Sequence, residues 1–533
     1  MIKCPNCENV LSSVASECDK CGFKFSRSRS HKSGGSFNFA KLLKIVIPVV
    51  ALALVAVIVI SVISKPINCV VYVRDSELFI SDSKDSVNQI SQNYIKDISA
   101  DNSNLINQVR ISDDNKKLFY AIDYKGSQFS LYYKNVTQMD KQSVKLSSDV
   151  NSYDISDDGT IVTYIKDAKD LFQHNLSAQS DKIDTNVVNF FASDDGKKII
   201  YVKEADHTGV YDIYLYQSGK KTKKIASEID FINMVSDDLS TIYYSSLNRL
   251  FMLEVGKTPK KLLEDVVDVV KIYDSGEIYF ARTNDEDGSM TLNYFNGKKT
   301  TTTVIDNYSG NDKIAESKPI IISTNYVENN LAYNLILKDK TYPIEHNVFS
   351  IEISSNGNEV LFLADFDIST RLCDLYTAKI DDGLKKVNQI TSGVIKGNYI
   401  SGNDYIYFKD FDSNKQTATL YYNNIEVDEN VFVNKYCHNK ENDNIFYFTD
   451  VDDEKGTLNV YSNKKSSIVM EDVLISSLNT YDDTTVMFFS DFKNDEGILY
   501  SYSNNMQKID HDVSSIVKII SNEEYDNKIR AQL

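Results

Sequence analysis

Two cysteine pairs open the chain, Cys4-Pro-Asn-Cys7 and Cys18-Asp-Lys-Cys21. The spacing C-x2-C-x10-C-x2-C puts thiolates at the tips of two tight knuckles, and four converging sulfurs form the tetrahedral shell that structural zinc prefers. Cys4, Cys7, Cys18 and Cys21 are therefore the expected zinc ligands, with zinc as a structural cofactor. Thiolate ligands must stay reduced, which places this end of the chain in a reducing compartment. His31 falls in the polar segment that follows and reads as a solvated residue, since four cysteines already fill the shell.

The remaining chemistry-bearing residues are carboxylates spaced along the C-terminal half: Asp365 and Asp367, Asp410 and Asp412, Asp450, Asp452 and Asp453, then Asp491, Asp495 and Glu496. Clustered carboxylates offer the hard oxygens that calcium takes. None shows the spacing of a helix-loop-helix calcium loop, so they read as solvated turn tips in preference to ligands. No G-x-S-x-G occurs to supply a nucleophile elbow. Ser81-Asp-Ser-Lys84 and Ser218-Gly-Lys-Lys221 match S-x-x-K without any partner motif, and His174, His207, His346, His438 and His511 are dispersed. On these absences the chain is expected not to be an enzyme. Cys69, Cys373 and Cys437 are odd in number; a Cys373 to Cys437 bridge is open to them, with free thiols preferred.

The elements that position these residues begin with residues 45–63 (IVIPVVALALVAVIVISVI), 19 residues without a charge. As a helix this run would be roughly 28 Å long, enough to cross a bilayer. A buried core helix or a cleaved signal peptide is the alternative, but a signal peptide would not follow a complete metal module. Arg27, Arg29, Lys32, Lys41 and Lys44 precede the run and only Lys65 follows closely, so the positive-inside rule sets the N-terminus in the cytoplasm. The expected order is a zinc ribbon at 1–25, a basic Gly/Ser-rich tether at 26–44, a single transmembrane helix at 45–64 and an extracytoplasmic domain at 66–533.

Residues 65–533, which take in that last domain, carry 50 Lys/Arg against 73 Asp/Glu, within a chain whose formal charge is -18. Phosphates would meet a repulsive field, which excludes nucleic acid as its partner. One phrase recurs through it: VYVRD at 71–75, FYAID at 119–123, VTYIKD at 162–167, IYVKE at 200–204, IYYSS at 242–246, IYFAR at 278–282, IIIST at 320–324, LFLAD at 361–365, IYFKD at 406–410, FYFTD at 446–450 and MFFSD at 487–491. Aromatic and β-branched residues favour strands, and a period near 40 residues is that of one four-stranded propeller blade. Polar turns such as Ser156-Asp157-Asp158-Gly159 precede many copies. The expected fold is all-β, a β-propeller in preference to separate β-sandwiches. Eleven units exceed the usual four to eight blades, so three readings are open: some copies are decorations, the domain is two propellers with a possible split near 300–317, or it is one unusually large ring.

The unit at 192–227 (ASDDGKKIIYVKEADHTGVYDIYLYQSGKKTKKIAS) resembles the TolB-type propeller repeat, with its Ser-x-Asp-Gly turn, strand, loop and Asp-Ile-Tyr strand. It lacks the Trp that often opens that repeat and the Pro of its turn. The cysteine segment resembles the zinc ribbons that open many membrane proteins of low-GC Gram-positive bacteria, an architecture of cytoplasmic ribbon, one transmembrane helix and extracytoplasmic domain. What the resemblance implies is a single-pass cell-membrane protein presenting a propeller to a cell-envelope component or partner protein, as a binding or scaffold module. A transmembrane sensor coupling the propeller to a cytoplasmic partner through the ribbon is the alternative, and a propeller glycosidase or lyase a more distant one.

Overall fold

The structure is a computed structural model that describes residues 2–3, 10–11 and 20–21 and, with short gaps and a longer one at 92–108, residues 69–520. The chain divides into two compact units, Met1–Lys65 and Pro66–Leu533. In the first, Ile2–Lys3 pairs antiparallel with Val10–Leu11, and the segment joining them carries Cys4 and Cys7. The proposed span at 45–64 lies outside the described residues. Among the described residues, no helix is long and apolar enough to cross a membrane.

The second unit is an all-β propeller. Each recurring phrase lies in the second strand of a four-stranded antiparallel meander, from Cys69–Arg74 in blade 1 to Val486–Lys493 in blade 11. Blade 4 is typical, running Val187–Ala192, Lys198–Glu204, Tyr211–Gln217 and Lys223–Ile229 in that spatial order. Among the described residues, three long strands serve two blades each, and Lys465–Leu474 of blade 10 also bridges to blade 11 where Val473 pairs with Ser490. Val144–Ile155 closes blade 2 and opens blade 3, and Leu384–Ser401 does the same for blades 8 and 9. Met506–Ile520 closes blade 11 against Glu496–Tyr502 and then supplies the first strand of blade 1 by pairing with Cys69–Arg74.

Second strands are apolar on both faces because each blade is covered by a neighbour on either side. Leu118–Ile122, Val360–Ala364 and Ile445–Phe448 are buried without a break. Among the described residues the core is correspondingly divided into eleven apolar clusters, each shared by two consecutive blades. One of them joins Leu474, Met487, Phe489 and Leu499 of blade 11 to Val70, Tyr72 and Phe79 of blade 1, so the circuit of packed blades closes on itself. Within the stretch 300–317, Thr301–Ile305 closes blade 6 and Tyr308–Ile314 opens blade 7. Val304 and Ile305 share a cluster with Ile321 and Ile336 across that junction.

Second and third strands are tied by facing aromatic pairs. Tyr407 opposes Tyr421 with ring centroids 4.8 Å apart, and Tyr164 opposes Phe172 at 5.5 Å. Such cross-strand pairs contribute roughly 0.2–1 kcal/mol each beyond burial.

Candidate functional site

The two ends of the propeller are built from different turns. First strands join second strands through polar turns at Ser112, Ser156, Ser193, Ser236 and Ser354, and all five share one hydrogen-bond scheme. The serine Oγ donates to the side chain two residues on, as in Ser156 to Asp158 Oδ1 at 2.7 Å and Ser193 to Asp195 Oδ1 at 2.8 Å. It accepts from the backbone N–H five residues on, at 3.0 Å in both turns. Successive turns are also linked, since Asp113 N donates to Asp157 O and Asp157 N to Asp194 O, each at 2.8 Å. The Asp238 carboxyl, which accepts from the Ser240 hydroxyl, the Ser236 hydroxyl and the Ser240 N–H, is pulled down to about 2.

At this turn end, the first strands of blades 7, 8 and 9 surround a cavity of about 460 Å³ lined by Lys313, Ile314, Glu352, Ser355, Tyr399 and Ser401 among others. Glu352 and Tyr399 sit in Val348–Ile353 and Leu384–Ser401. Glu352 Oε1 accepts from Asn398 Nδ2 at 2.7 Å and Oε2 from Tyr399 N at 3.0 Å. Asn398 Oδ1 in turn accepts from Tyr436 Oη at 3.0 Å, which extends the network into blade 10. Lys396 places its ammonium 4.9 Å from the centre of the Tyr436 ring, and burial pushes it below the ordinary lysine value against the pull of Glu352. Burial raises the Tyr399 phenol, and its buried Oη has no hydrogen-bond partner among the described residues. The wall thus offers the Glu352 carboxylate, held by two hydrogen bonds, and Lys313, a pair suited to holding a small polar ligand.

Sequence reasoning missed this group. Glu352 carries the one available signal, a charge inside the otherwise apolar and small strand VFSIEI. Asn398, Tyr399 and Tyr436 converge only through the pairing of three separate blades.

Of the expected zinc ligands, Cys21 is described and is exposed; Cys4, Cys7 and Cys18 lie outside the described residues. Among the described residues, no group of three or more His, Cys, Asp or Glu could hold a metal. Cys373 is buried in blade 8 and Cys437 half-buried in blade 10, both unbridged, and burial raises both thiols.

The acidic tips fall at the opposite, hairpin end, where second strands turn into third strands. Asp123, Asp365, Asp410, Asp450 and Asp491 occupy one position in blades 2, 8, 9, 10 and 11, each with φ between 49° and 57°. Each sits where the pairing register shifts, and each is exposed. A bulge needs a residue that tolerates the left-handed region, and Asp does so better than most because its short side chain bonds locally. Backbone conformation therefore accounts for the recurring aspartate.

No protein-family model matches the sequence, and no curated protein matches it. Solved structures with similar folds include a eukaryotic initiation factor, at 9% identity and TM-score 0.39 over 74% of this chain and 98% of that one. The β-propeller domain of the Trilobed protease from Pyrococcus furiosus, described as having an open velcro topology, is similar at 14% identity and TM-score 0.27 over 53% and 94%. Two prolyl endopeptidases are represented at 13% identity and TM-score 0.28 over 58% of this chain and 56% of that one. No residue of this chain takes a role from them. They do correct the expectation that the chain is not an enzyme: structures of peptidases stand among its neighbours, so a missing nucleophile motif is no ground for excluding enzymatic relatives.

Proposed function

We propose that this protein is a single-pass membrane protein whose propeller presents binding surfaces to a cell-envelope component or partner protein. The observation that carries the reading is the uncharged run at 45–63 with its basic N-terminal flank, directly ahead of a domain made of repeated blades. On this reading the N-terminus is cytoplasmic, where Cys4, Cys7, Cys18 and Cys21 hold one structural zinc in a reducing compartment. The acidic propeller lies outside, and its charge disfavours nucleic acid.

Protease applied to intact cells tests the topology. The large domain should be digested while a short N-terminal fragment survives; survival of the large domain would reverse the assignment. Incubating the purified full-length chain with envelope fractions tests binding, and failure to retain it on any fraction would remove the binding reading while leaving the topology standing.

A further inference from the structure

The five bulged second strands provide an internal comparison. After the left-handed aspartate comes a large side chain that in four blades is half-buried: Tyr124, Phe411, Val451 and Phe492 each pack against a buried cluster. In blade 8 the equivalent residue, Phe366, is 43% exposed and stacks on Phe349, itself 56% exposed, with ring centroids 5.1 Å apart. Two positions further on, the other blades carry Gly126, Ser413, Asp453 and Asn494. Blade 8 carries Ile368, which is 86% exposed. Phe366 and Ile368 thus stand in solvent beside Phe349 at one hairpin end, at positions where four sister blades half-bury or replace the equivalent side chain.

Their surroundings fix the kind of partner. The patch's own hairpin at 365–372 carries Asp365 and Asp367 against Arg371, and the hairpin of the adjacent blade 9 at 410–416 carries Asp410 and Asp412 against Lys415. Asp365 and Asp367 flank Phe366 in sequence and are exposed. A second copy of this chain would bring like charge to the same place. The chain enters the propeller at Cys69, whose strand runs away from the turn end toward the hairpin at Arg74 and Glu77, so the point of entry is not at the patch.

We propose that Phe349, Phe366 and Ile368 form a docking surface for a basic peptide segment that inserts an aromatic or aliphatic side chain against the stacked rings. The surrounding carboxylates attract the partner's lysines and arginines and speed encounter, and the apolar contact holds it. This rests on the reading of the propeller as a binding module and is independent of the anchor.

The test uses the purified full-length chain and a fluorescent peptide built of Lys and Phe, with a Glu/Phe and a Lys/Ser peptide as controls. The Lys/Phe peptide should bind, with affinity falling as salt rises. Both control peptides and the variant F366S/I368S should bind at least about tenfold more weakly. F366S/I368S should melt as the wild type does, since both side chains are exposed. Equal binding by that variant, or by the Glu/Phe peptide, overturns the proposal, as does a wild-type dimer in sedimentation that the variant dissolves. If F366S/I368S keeps full retention on envelope fractions, the docking surface falls and the binding reading stands; if the wild type is retained on none, the binding reading falls.

Discussion

Tyr72 Oη donates to Asp510 Oδ2 at 2.6 Å across 438 residues of sequence, and Arg74 Nη1 reaches the same oxygen at 2.9 Å. Tyr72 and Arg74 belong to the second strand of blade 1, Asp510 to the last strand of blade 11. The arrangement repeats inside the propeller, where Tyr201 and Lys203 of blade 4 both contact Asp184 of blade 3, each at 2.8 Å. Tyr447 of blade 10 likewise donates to Asp428 of blade 9 at 2.7 Å. A second-strand tyrosine bonded to an aspartate on the preceding blade's outer strand is thus a recurring latch, and the junction of the two chain ends uses it too.

Asp510 is 6% exposed, so Asp510→Asn should leave Arg74 without its counter-charge and weaken the bond from Tyr72. Removing one partner of such a buried pair costs about 1–3 kcal/mol. Thermal melting of the full-length chain should fall accordingly, and Tyr72→Phe should cost less because the ion pair survives. An Asp510→Asn melting curve that overlays the wild type would show that the latch contributes nothing to closure.

Much of this was legible in the sequence. All eleven phrases mark second strands because those strands are covered on both faces and must be continuously apolar, a demand that survives divergence of everything around them. Outer strands such as Ser180–Asp184 and Lys223–Ile229 mix exposed with half-buried or buried residues, so their residues carry little pattern. Blade sharing by Val144–Ile155 and Leu384–Ser401 was invisible, since a strand that changes partner midway has no compositional mark. The recurring aspartates were visible, but their cause was not: a positive φ is a property of the bulge, and Asp serves conformation and calcium equally well on paper. The Glu352–Asn398–Tyr436 network depends on which blades are neighbours, information no local motif holds.

Glycine in the polar turns makes a second test. Gly159 has φ +60°, and an added Cβ would lie 2.9 Å from Cβ of Ser112 in the preceding blade's turn. Gly126 has φ +62° with nothing within 4 Å. Both Gly→Ala changes incur the left-handed cost of roughly 1–2 kcal/mol, but Gly159→Ala must also displace a neighbouring turn. It should lower the melting temperature clearly more than Gly126→Ala does. Equal effects would mean that the turns do not pack as a continuous rim.

Acid should loosen the same rim. Asp238 is held at about 2 by the hydroxyls of Ser240 and Ser236 and by the Ser240 N–H, against about 4 in an unfolded chain. A depressed carboxyl stabilises the fold above its unfolded value, and that contribution is lost as pH falls from about 4 toward about 2. Denaturant midpoints for wild type and Asp238→Asn should therefore differ at pH 6 and converge near pH 2. A constant difference across that range would remove Asp238 from the acid response.

The bulge aspartates separate conformation from metal binding. If Asp410 and Asp450 recur because φ is 57° and 49° at their positions, then asparagine, which also tolerates the left-handed region, should replace them at little cost in stability. Valine should not, because a β-branched side chain clashes there, and each Asp→Val change should cost on the order of 1–3 kcal/mol. Both series keep the exposed position, so lost packing does not confuse the comparison. Calcium should leave the melting temperature of the wild-type chain unchanged. A calcium-induced rise in the wild type that Asp410→Asn and Asp450→Asn abolish would show that these carboxylates were retained for a metal and that the bulge geometry is the means of presenting them.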